Sequence, residues 1–304
     1  MSSPALVPRV VRHGASGATL HIYEFGAQVC SYTWRGQDAL FMSSRAVLDG
    51  SKPIRGGIPL AFPQFAMQGP LPMHGFARTA QWAVEGEGDG FIELSLAHSE
   101  ATLALWPHVF SLRYTVTFDG PTLRTALRIT NPGPAPFAFE ALQHTYLAGG
   151  GAGAIAEAGD GALTIAGLRG MAFFAKPTAT EGVEDREAFA LAGEVDRIYR
   201  APPGEGDIVV GGVAGPAYRS VTVRRKGSLA DAAPGLSHAV AHAPLDVVVW
   251  NPGPVRAAAI ADLGPEDWRA YVCIEPGRVS QATAEAGNLA PGKAFTLTQE
   301  LLLQ

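Results

Sequence analysis

The sequence predicts an all-β protein, a large antiparallel β-sandwich formed as a single domain over residues 1–304. In several segments apolar and polar residues alternate with a period of two, the pattern of strands that bury one face. The chain contains 36 Gly and 23 Pro, which divide it into short segments. Long amphipathic helices are not evident. These three observations together are typical of a β-sandwich.

The alternation is clearest in residues 111–118 and 122–130, where apolar side chains occupy one face and Arg or Thr the other. Asp119-Gly120-Pro121 between them predicts a hairpin connection. A single helical turn is predicted after Gly264-Pro265, because proline and acidic residues favour a first turn. Residues 149–161 are rich in Gly and Ala and are predicted to form a flexible loop. Further strands are predicted at 20–24, 92–96, 221–225, 245–250, 271–274 and 295–303.

Composition narrows the class of protein. Charged residues make up 17% and apolar residues 47% of the chain, which indicates a globular protein. A net charge of −5 with scattered Lys and Arg argues against nucleic acid and membrane as partners. Cys30 and Cys273 lie in apolar runs and are predicted to be buried, reduced thiols. Residues 1–12 lack a signal-peptide pattern and no apolar run approaches about 18 residues, so we expect a cytoplasmic protein.

Residues 55–78 form the most irregular segment, with several prolines and two adjacent glycines. Such a backbone usually lines a site or makes a sharp corner. It contains Arg55, His74 and Arg78. Elsewhere, His144 ends a strand-like run and Glu275 directly follows an apolar one. Each residue alone is more often a structural hydrogen-bond partner, but together they supply a general base and two acids, the minimum for proton transfer.

Four motifs occur in order: Arg-Gly-Gly-Ile-Pro-Leu-Ala-Phe-Pro at 55–63, His-Gly-Phe-Ala-Arg at 74–78, Gln-His-Thr-Tyr at 143–146 and Cys-Ile-Glu-Pro-Gly at 273–277. Val-Asp-Arg-Ile-Tyr at 195–199 and Val-Trp-Asn-Pro at 249–252 support them. From about residue 16 to 302 the chain resembles the glucose-6-phosphate 1-epimerases, which are hexose-6-phosphate mutarotases of the aldose 1-epimerase superfamily. The resemblance implies a galactose-mutarotase-like sandwich with its site on a concave sheet face, no cofactor and a monomeric state.

The resemblance also implies how the residues act. Glu275 matches the general base that takes the proton from the anomeric hydroxyl, and His144 matches the acid that protonates the ring oxygen. The ring opens, the C1–C2 bond rotates and reclosure gives the other anomer. We expect Glu275 to help keep His144 protonated, since opposite charges stabilise each other. The remaining matches are a second site histidine and three substrate-binding positions: His74, Arg55, Arg78 and Asp196.

Substrate recognition rests on the two arginines and one departure from the family pattern. Arg55 and Arg78 are the natural phosphate-binding pair, because the planar guanidinium matches phosphate oxygens. The family often has a substrate-contacting glutamine directly before His-Gly-Phe-Ala-Arg, where this chain has Met73. Methionine cannot donate an amide hydrogen bond, so we expect that contact to be lost or taken over by Gln64 or Gln143.

Three other functions stay open at the level of sequence. The same chemistry could serve free aldoses, and the fold could be a carbohydrate-binding module without activity, although a binder needs no acid–base set. A metal-dependent cupin-like barrel would use His74, His144 and Glu275 as ligands, but the His-x-His of such sites is missing. His238 and His242 are four residues apart, a spacing that binds metal on a helix. The prolines and glycine around them predict loop or surface histidines instead.

Overall fold

The computed structural model describes residues 5–149, 155, 162–200, 206–213, 215, 217–232, 241–280 and 288–304. In this part of the chain strands dominate, and the two α-helices, α1 (Glu100–Leu105) and α2 (Gly253–Ala258), are six residues long. Neither has the length and apolar character of a helix that crosses a membrane. The all-β prediction is therefore confirmed.

In chain order, the first twelve strands are β1 Arg9–Arg12, β2 Thr19–Tyr23, β3 Gln28–Trp34, β4 Gln37–Asp38, β5 Leu60–Ala61, β6 Ala83–Gly88, β7 Phe91–Ala97, β8 Ser111–Phe118, β9 Thr122–Thr130, β10 Phe137–Ala138, β11 Ala141–Gln143 and β12 Thr145–Ala148. The second twelve are β13 Thr164–Ala166, β14 Ala172–Ala175, β15 Thr180–Val183, β16 Ala188–Ala190, β17 Val195–Tyr199, β18 Ile208–Gly211, β19 Ser220–Asp231, β20 Ala241–His242, β21 Asp246–Asn251, β22 Tyr271–Arg278, β23 Asn288–Leu289 and β24 Lys293–Leu303.

Two large antiparallel sheets form the sandwich. The ten-stranded sheet runs β16-β13-β18-β19-β24-β9-β8-β7-β6, with β20 beside β19. The eight-stranded sheet runs β15-β14-β17-β21-β22-β11-β5, with β12 also pairing β22. A four-stranded sheet, β1 to β4, and a small pair, β10 with β23, complete the described fold.

The two large sheets face each other across a buried core, and polar side chains bridge them at one place. Gln143 of β11 accepts a hydrogen bond from Thr125 of β9 and donates one to the Leu297 carbonyl of β24 at 3.1 Å. Thr145 donates to Gln299 of β24 at 2.8 Å. Because side chains alternate along an extended chain, His144 between them faces the other side of the eight-stranded sheet. The core thus decides which face carries the histidine.

Several local predictions are confirmed. The predicted strands 111–118 and 122–130 are β8 and β9, joined by the predicted hairpin. The helical turn after Gly264-Pro265 is a short 3₁₀ segment, Asp267–Ala270. Cys30 and Cys273 are buried and free. Of the predicted loop 149–161, only Gly149 and Ile155 lie within the described residues, and His238 lies outside them.

Candidate active site

The outer face of the eight-stranded sheet carries a cavity of about 220 Å³. Its volume is below the roughly 300–1,000 Å³ of pockets for drug-sized ligands, so it suits a small molecule of monosaccharide size. Six of the seven site residues predicted from the sequence line this cavity: Arg55, Met73, His74, His144, Asp196 and Glu275. The seventh, Arg78, does not line it.

His144 and Glu275 lie at the floor of the cavity as cross-strand neighbours. Thr145 of β12 pairs with Ile274 of β22, which places the preceding histidine opposite the glutamate. The His144 Nδ1 and Glu275 Oε1 atoms are 3.2 Å apart, and the residues are 8% and 1% exposed. The two atoms are not hydrogen-bonded to each other, and neither has a hydrogen-bond partner among the residues that the structure describes. Two ionisable groups are thus adjacent, with atoms available to a ligand.

Burial shifts the pKa values of this pair in opposite directions. The pKa of Glu275 lies well above its ordinary value, because burial and then the Asp196 carboxylate oppose its charge. The pKa of His144 lies well below its ordinary value, owing to burial, His74 and the nearby Arg55 and Arg78 guanidinium groups. The expectation that Glu275 keeps His144 protonated is therefore wrong for this structure. The same burial that brings the groups together suppresses the carboxylate charge that was to stabilise the imidazolium.

His74 is held beside this pair by a strained turn. Its φ is 64° and that of Gly75 is 69°, and a Cβ on Gly75 would lie 2.2 Å from the Phe62 carbonyl oxygen. Glycine is required there, which explains the His-Gly step in the motif. The Ala66 N–H donates to His74 Nδ1 at 3.3 Å, so Nε2 carries the proton of the neutral ring. Its ring centroid is 5.6 Å from that of His144, and burial lowers the His74 pKa to about 3.

Arg55 is fixed from two sides. Its Nη2 lies 3.1 Å from Asp262 Oδ1, and its Nη1 donates to the Tyr146 hydroxyl at 3.3 Å. The Tyr146 ring stacks on His144 with centroids 4.8 Å apart. Tyr146 and Asp262 raise the pKa of Arg55, which stays a cation in contact with the cavity.

Arg78 lies behind Met73, near the cavity but outside its lining. Its Nη2 donates to the Met73 carbonyl at 2.6 Å, while its Nε is buried without a hydrogen-bond partner. Burial is the largest cause that lowers its pKa, to about 10. Within the described residues no carboxylate lies at ion-pair distance from it. Arg78 is therefore a poorly compensated cation, unlike Arg55.

A second group of charges surrounds Asp196 on β17. Asp196 is 5% exposed, and its two oxygens lie 3.6 Å from Lys176 Nζ and 3.1 Å from Arg256 Nη1. Both cations line the cavity, and sequence reasoning missed both. Arg256 lies in α2, four residues after the Val-Trp-Asn-Pro motif, which could have pointed to it. Lys176, directly after β14, carries no sequence pattern.

Neither glutamine can replace the amide that Met73 lacks. Gln64 donates to the Ala66 and Leu71 carbonyls and accepts from the Leu71 N–H, and it does not line the cavity. The side-chain amide of Gln143 already forms hydrogen bonds to Thr125 and to the Leu297 carbonyl between the two sheets. The expected compensation is therefore wrong, because both amides are used to hold backbone or core. Met73 is 51% exposed and lines the cavity with its side chain.

Known proteins are similar to this chain in sequence and in fold. A relative from Cenchrus ciliaris, provisionally named glucose-6-phosphate 1-epimerase, is 30% identical over 97% of this chain and 84% of its own length. One from Salmonella typhimurium with the same provisional name is 30% identical over 82% and 76%, respectively.

Two solved structures establish the fold. One, a Salmonella typhimurium protein provisionally described as a mutarotase, has a TM-score of 0.71 at 24% identity, covering 100% of this chain and 96% of that one. A galactose mutarotase related enzyme from Lactobacillus acidophilus also gives 0.71, at 16% identity and 98% and 97% coverage. The aldose 1-epimerase family model matches residues 9–302, nearly the whole described fold with its cavity. The chain therefore belongs to the aldose 1-epimerase family.

Proposed function

We propose that this protein interconverts the α and β anomers of a hexose 6-phosphate, with glucose 6-phosphate as its main substrate. The observation that carries the proposal is the buried His144–Glu275 pair, 3.2 Å apart at the floor of a small cavity that Arg55, Lys176 and Arg256 also line. The provisional name of the two relatives supports the substrate. No metal is invoked, because ring opening needs only one proton donor and one proton acceptor.

The connectivity of a pyranose ring orients the substrate. C1 bears the anomeric hydroxyl and is bonded to the ring oxygen and to C2, while the ring oxygen leads on to C5 and C6. If Glu275 contacts the anomeric hydroxyl and His144 the ring oxygen, C6 lies beyond His144. C2 and C3 then lie beyond Glu275. The two ends of the cavity should differ in chemistry accordingly.

The charges around the pair support this orientation. His74 and Arg55 lie at the His144 end of the site: the His74 ring centroid is 5.6 Å from that of His144, and Arg55 donates to Tyr146, whose ring stacks on His144. The charges that act on Glu275 are Asp196 and Lys176. We therefore assign the 6-phosphate to the end with Arg55 and Arg78. The C2 and C3 hydroxyls are assigned to Asp196 and its two cations, Lys176 and Arg256.

Arg78 is the group best suited to the phosphate. Arg78 does not itself line the cavity, but its half-buried guanidinium donates to the carbonyl of the lining residue Met73 and has an unpartnered Nε among the described residues. Such a cation gains most from an anion that reaches past Met73. Arg55 already has a carboxylate partner in Asp262, so it serves more as a fixed positive wall. Phosphate bound there would offset the two cations that disfavour a charged His144 and so favour the acid form of the imidazole.

Catalysis then follows from the pair as a donor and an acceptor. In the reactive form Glu275 is ionised and His144 is protonated. Glu275 takes the anomeric proton while His144 protonates the ring oxygen, C1 becomes an aldehyde, and rotation about C1–C2 precedes reclosure. The two residues return to their initial protonation states when the ring closes in the reverse sense. Each group is typically worth about 10²–10⁴-fold in rate.

Anomer exchange measured by NMR on glucose 6-phosphate, galactose 6-phosphate and glucose tests the proposal. The expected result is rapid exchange of the phosphorylated sugar and a loss of about 10²-fold or more in Glu275→Gln. Glu85→Gln, an exposed change on β6 of the other sheet, is the matched control and should retain full activity. Exchange no faster than in buffer would contradict the enzyme function, and preference for glucose would indicate a free-aldose mutarotase. The monomeric state and the cytoplasmic location stay predictions.

A further inference from the structure

We propose that His144, Cys273 and Glu275 form a binding site for a thiophilic divalent ion, Zn²⁺ in particular, and that the bound ion inhibits the enzyme. A ring nitrogen of His144, the Cys273 Sγ and a carboxylate oxygen of Glu275 all lie within 4.8 Å of one another. The proposed epimerase chemistry assigns no role to the thiol. The metal site therefore adds a new ligand, the thiol, to two residues that the proposed function already uses.

The strand geometry brings the three donors together. Cys273 and Glu275 are two residues apart on β22, so their side chains share one face of the sheet. His144 directly precedes the neighbouring strand β12, which pairs with β22 in the register Thr145 with Ile274. Two ligands from one strand and a third from its neighbour form a compact triangle on a rigid backbone. Such a site needs no loop movement to assemble.

The distances are close to those of a tetrahedral site. Zinc bonds of about 2.0–2.3 Å to N, O and S place neighbouring ligand atoms about 3.3–3.7 Å apart. The His144 Nδ1 to Glu275 Oε1 distance of 3.2 Å already matches such an edge. The thiol distances, within 4.8 Å, need only a small closure of the side chain.

Two of the donor atoms have no hydrogen-bond partner. His144 Nδ1 and Glu275 Oε1 are buried and unpartnered, and their residues are only 8% and 1% exposed. Both residues line the cavity, which gives an ion a path from solvent and leaves a fourth position for water. Cys273 is fully buried beside them on the same face of the sheet. A bound cation would satisfy lone pairs that the fold leaves unmet.

The donor set selects the ion. Sulfur and imidazole favour Zn²⁺, Co²⁺ or Cd²⁺ over Mg²⁺ and Ca²⁺, which prefer oxygen ligands. Burial raises the pKa of both the Cys273 thiol and the Glu275 carboxyl, so each gives up its proton to solvent on binding, and thiolate with carboxylate balances the two charges of the ion. The lone pairs that would exchange protons with the sugar are then occupied. We therefore expect reversible inhibition that chelators relieve.

The test measures metal binding without substrate and, separately, inhibition. Co²⁺ added to the purified full chain should produce the near-ultraviolet absorption of a cobalt–thiolate bond, and Zn²⁺ should displace it. Cys273→Ser should abolish this absorption, whereas Cys30→Ser, a change at the only other cysteine, should preserve it. In anomer exchange, Cys273→Ser should raise the Zn²⁺ concentration for half-inhibition at least about tenfold, relative to the metal-free rate of each variant.

Cys273→Ala provides a second variant if the serine protein folds poorly. The proposal fails if Co²⁺ gives no thiolate absorption, if that absorption depends on Cys30, or if Zn²⁺ inhibits the Cys273 variants as strongly as the parent. Because the cobalt spectrum requires no turnover, it is independent of the proposed epimerase activity. Failure of the metal site and failure of the enzyme function are therefore distinguishable.

Discussion

Replacement of Arg78 by Met tests the assignment of the phosphate most directly. Met keeps much of the length of the side chain but removes the guanidinium. In the parent, this group donates to the Met73 carbonyl through Nη2, while its Nε has no hydrogen-bond partner among the described residues. A charge-assisted hydrogen bond contributes about 1.5–3 kcal/mol. At 1.36 kcal/mol per factor of ten, its loss lowers kcat/KM for glucose 6-phosphate by about 10-fold to 150-fold. Because free glucose lacks the phosphate, its kcat/KM should fall by less than about threefold.

The assay is NMR-monitored anomer exchange at several concentrations of each sugar, so that KM and kcat are obtained separately. The loss should appear in KM, since the phosphate is bound equally before and during ring opening. The matched control is Arg113→Met. It removes a surface arginine that pairs with Glu93, and both residues lie on the ten-stranded sheet, which does not carry the cavity. Thermal denaturation should show little change for Arg78→Met, because burial disfavours the charge that is removed. Equal losses on the two sugars would refute the phosphate assignment.

Three further changes probe other parts of the molecule. Lys176→Met should lower kcat/KM about tenfold for glucose 6-phosphate and less for 2-deoxyglucose 6-phosphate, which lacks the C2 hydroxyl assigned to this end; equal losses would contradict that assignment. Gly75→Ala should lower the unfolding free energy by about 1–3 kcal/mol or more, because φ is +69° and the Cβ would clash with the Phe62 carbonyl; denaturant unfolding measures it, and an unchanged midpoint would show that the turn can relax. For Glu184, hydrogen bonds from Arg186 lower the carboxyl pKa to about 2, so its stabilisation is present above its ordinary pKa and is lost as the pH falls toward 2. The gap in stability between the parent and Glu184→Gln should accordingly shrink from pH 5 to pH 2, and a constant gap would refute the linkage.

The sequence by itself determined the fold class and six of the thirteen residues that line the cavity. Alternation with period two is a local property of extended backbone, so β8 and β9 could be located to the residue. Of the seven site residues that the motifs identified, six line the cavity. His144 and Glu275 could be identified without knowing that their strands pair, because the resemblance to the family assigned each residue from its own motif.

Only the tertiary structure decided how these groups are charged and which partners they have. Arg55 forms an ion pair with Asp262, 207 residues away in the sequence. Asp196 lies between Lys176 and Arg256, two cations that are not part of any motif. The protonation of His144 was predicted incorrectly, because a pKa depends on burial and on every nearby charge, and both are set by strand pairing across distant segments. Strand pairing also places His144 beside Cys273 and Glu275, and this grouping of three donor atoms exists only when the sheet is assembled.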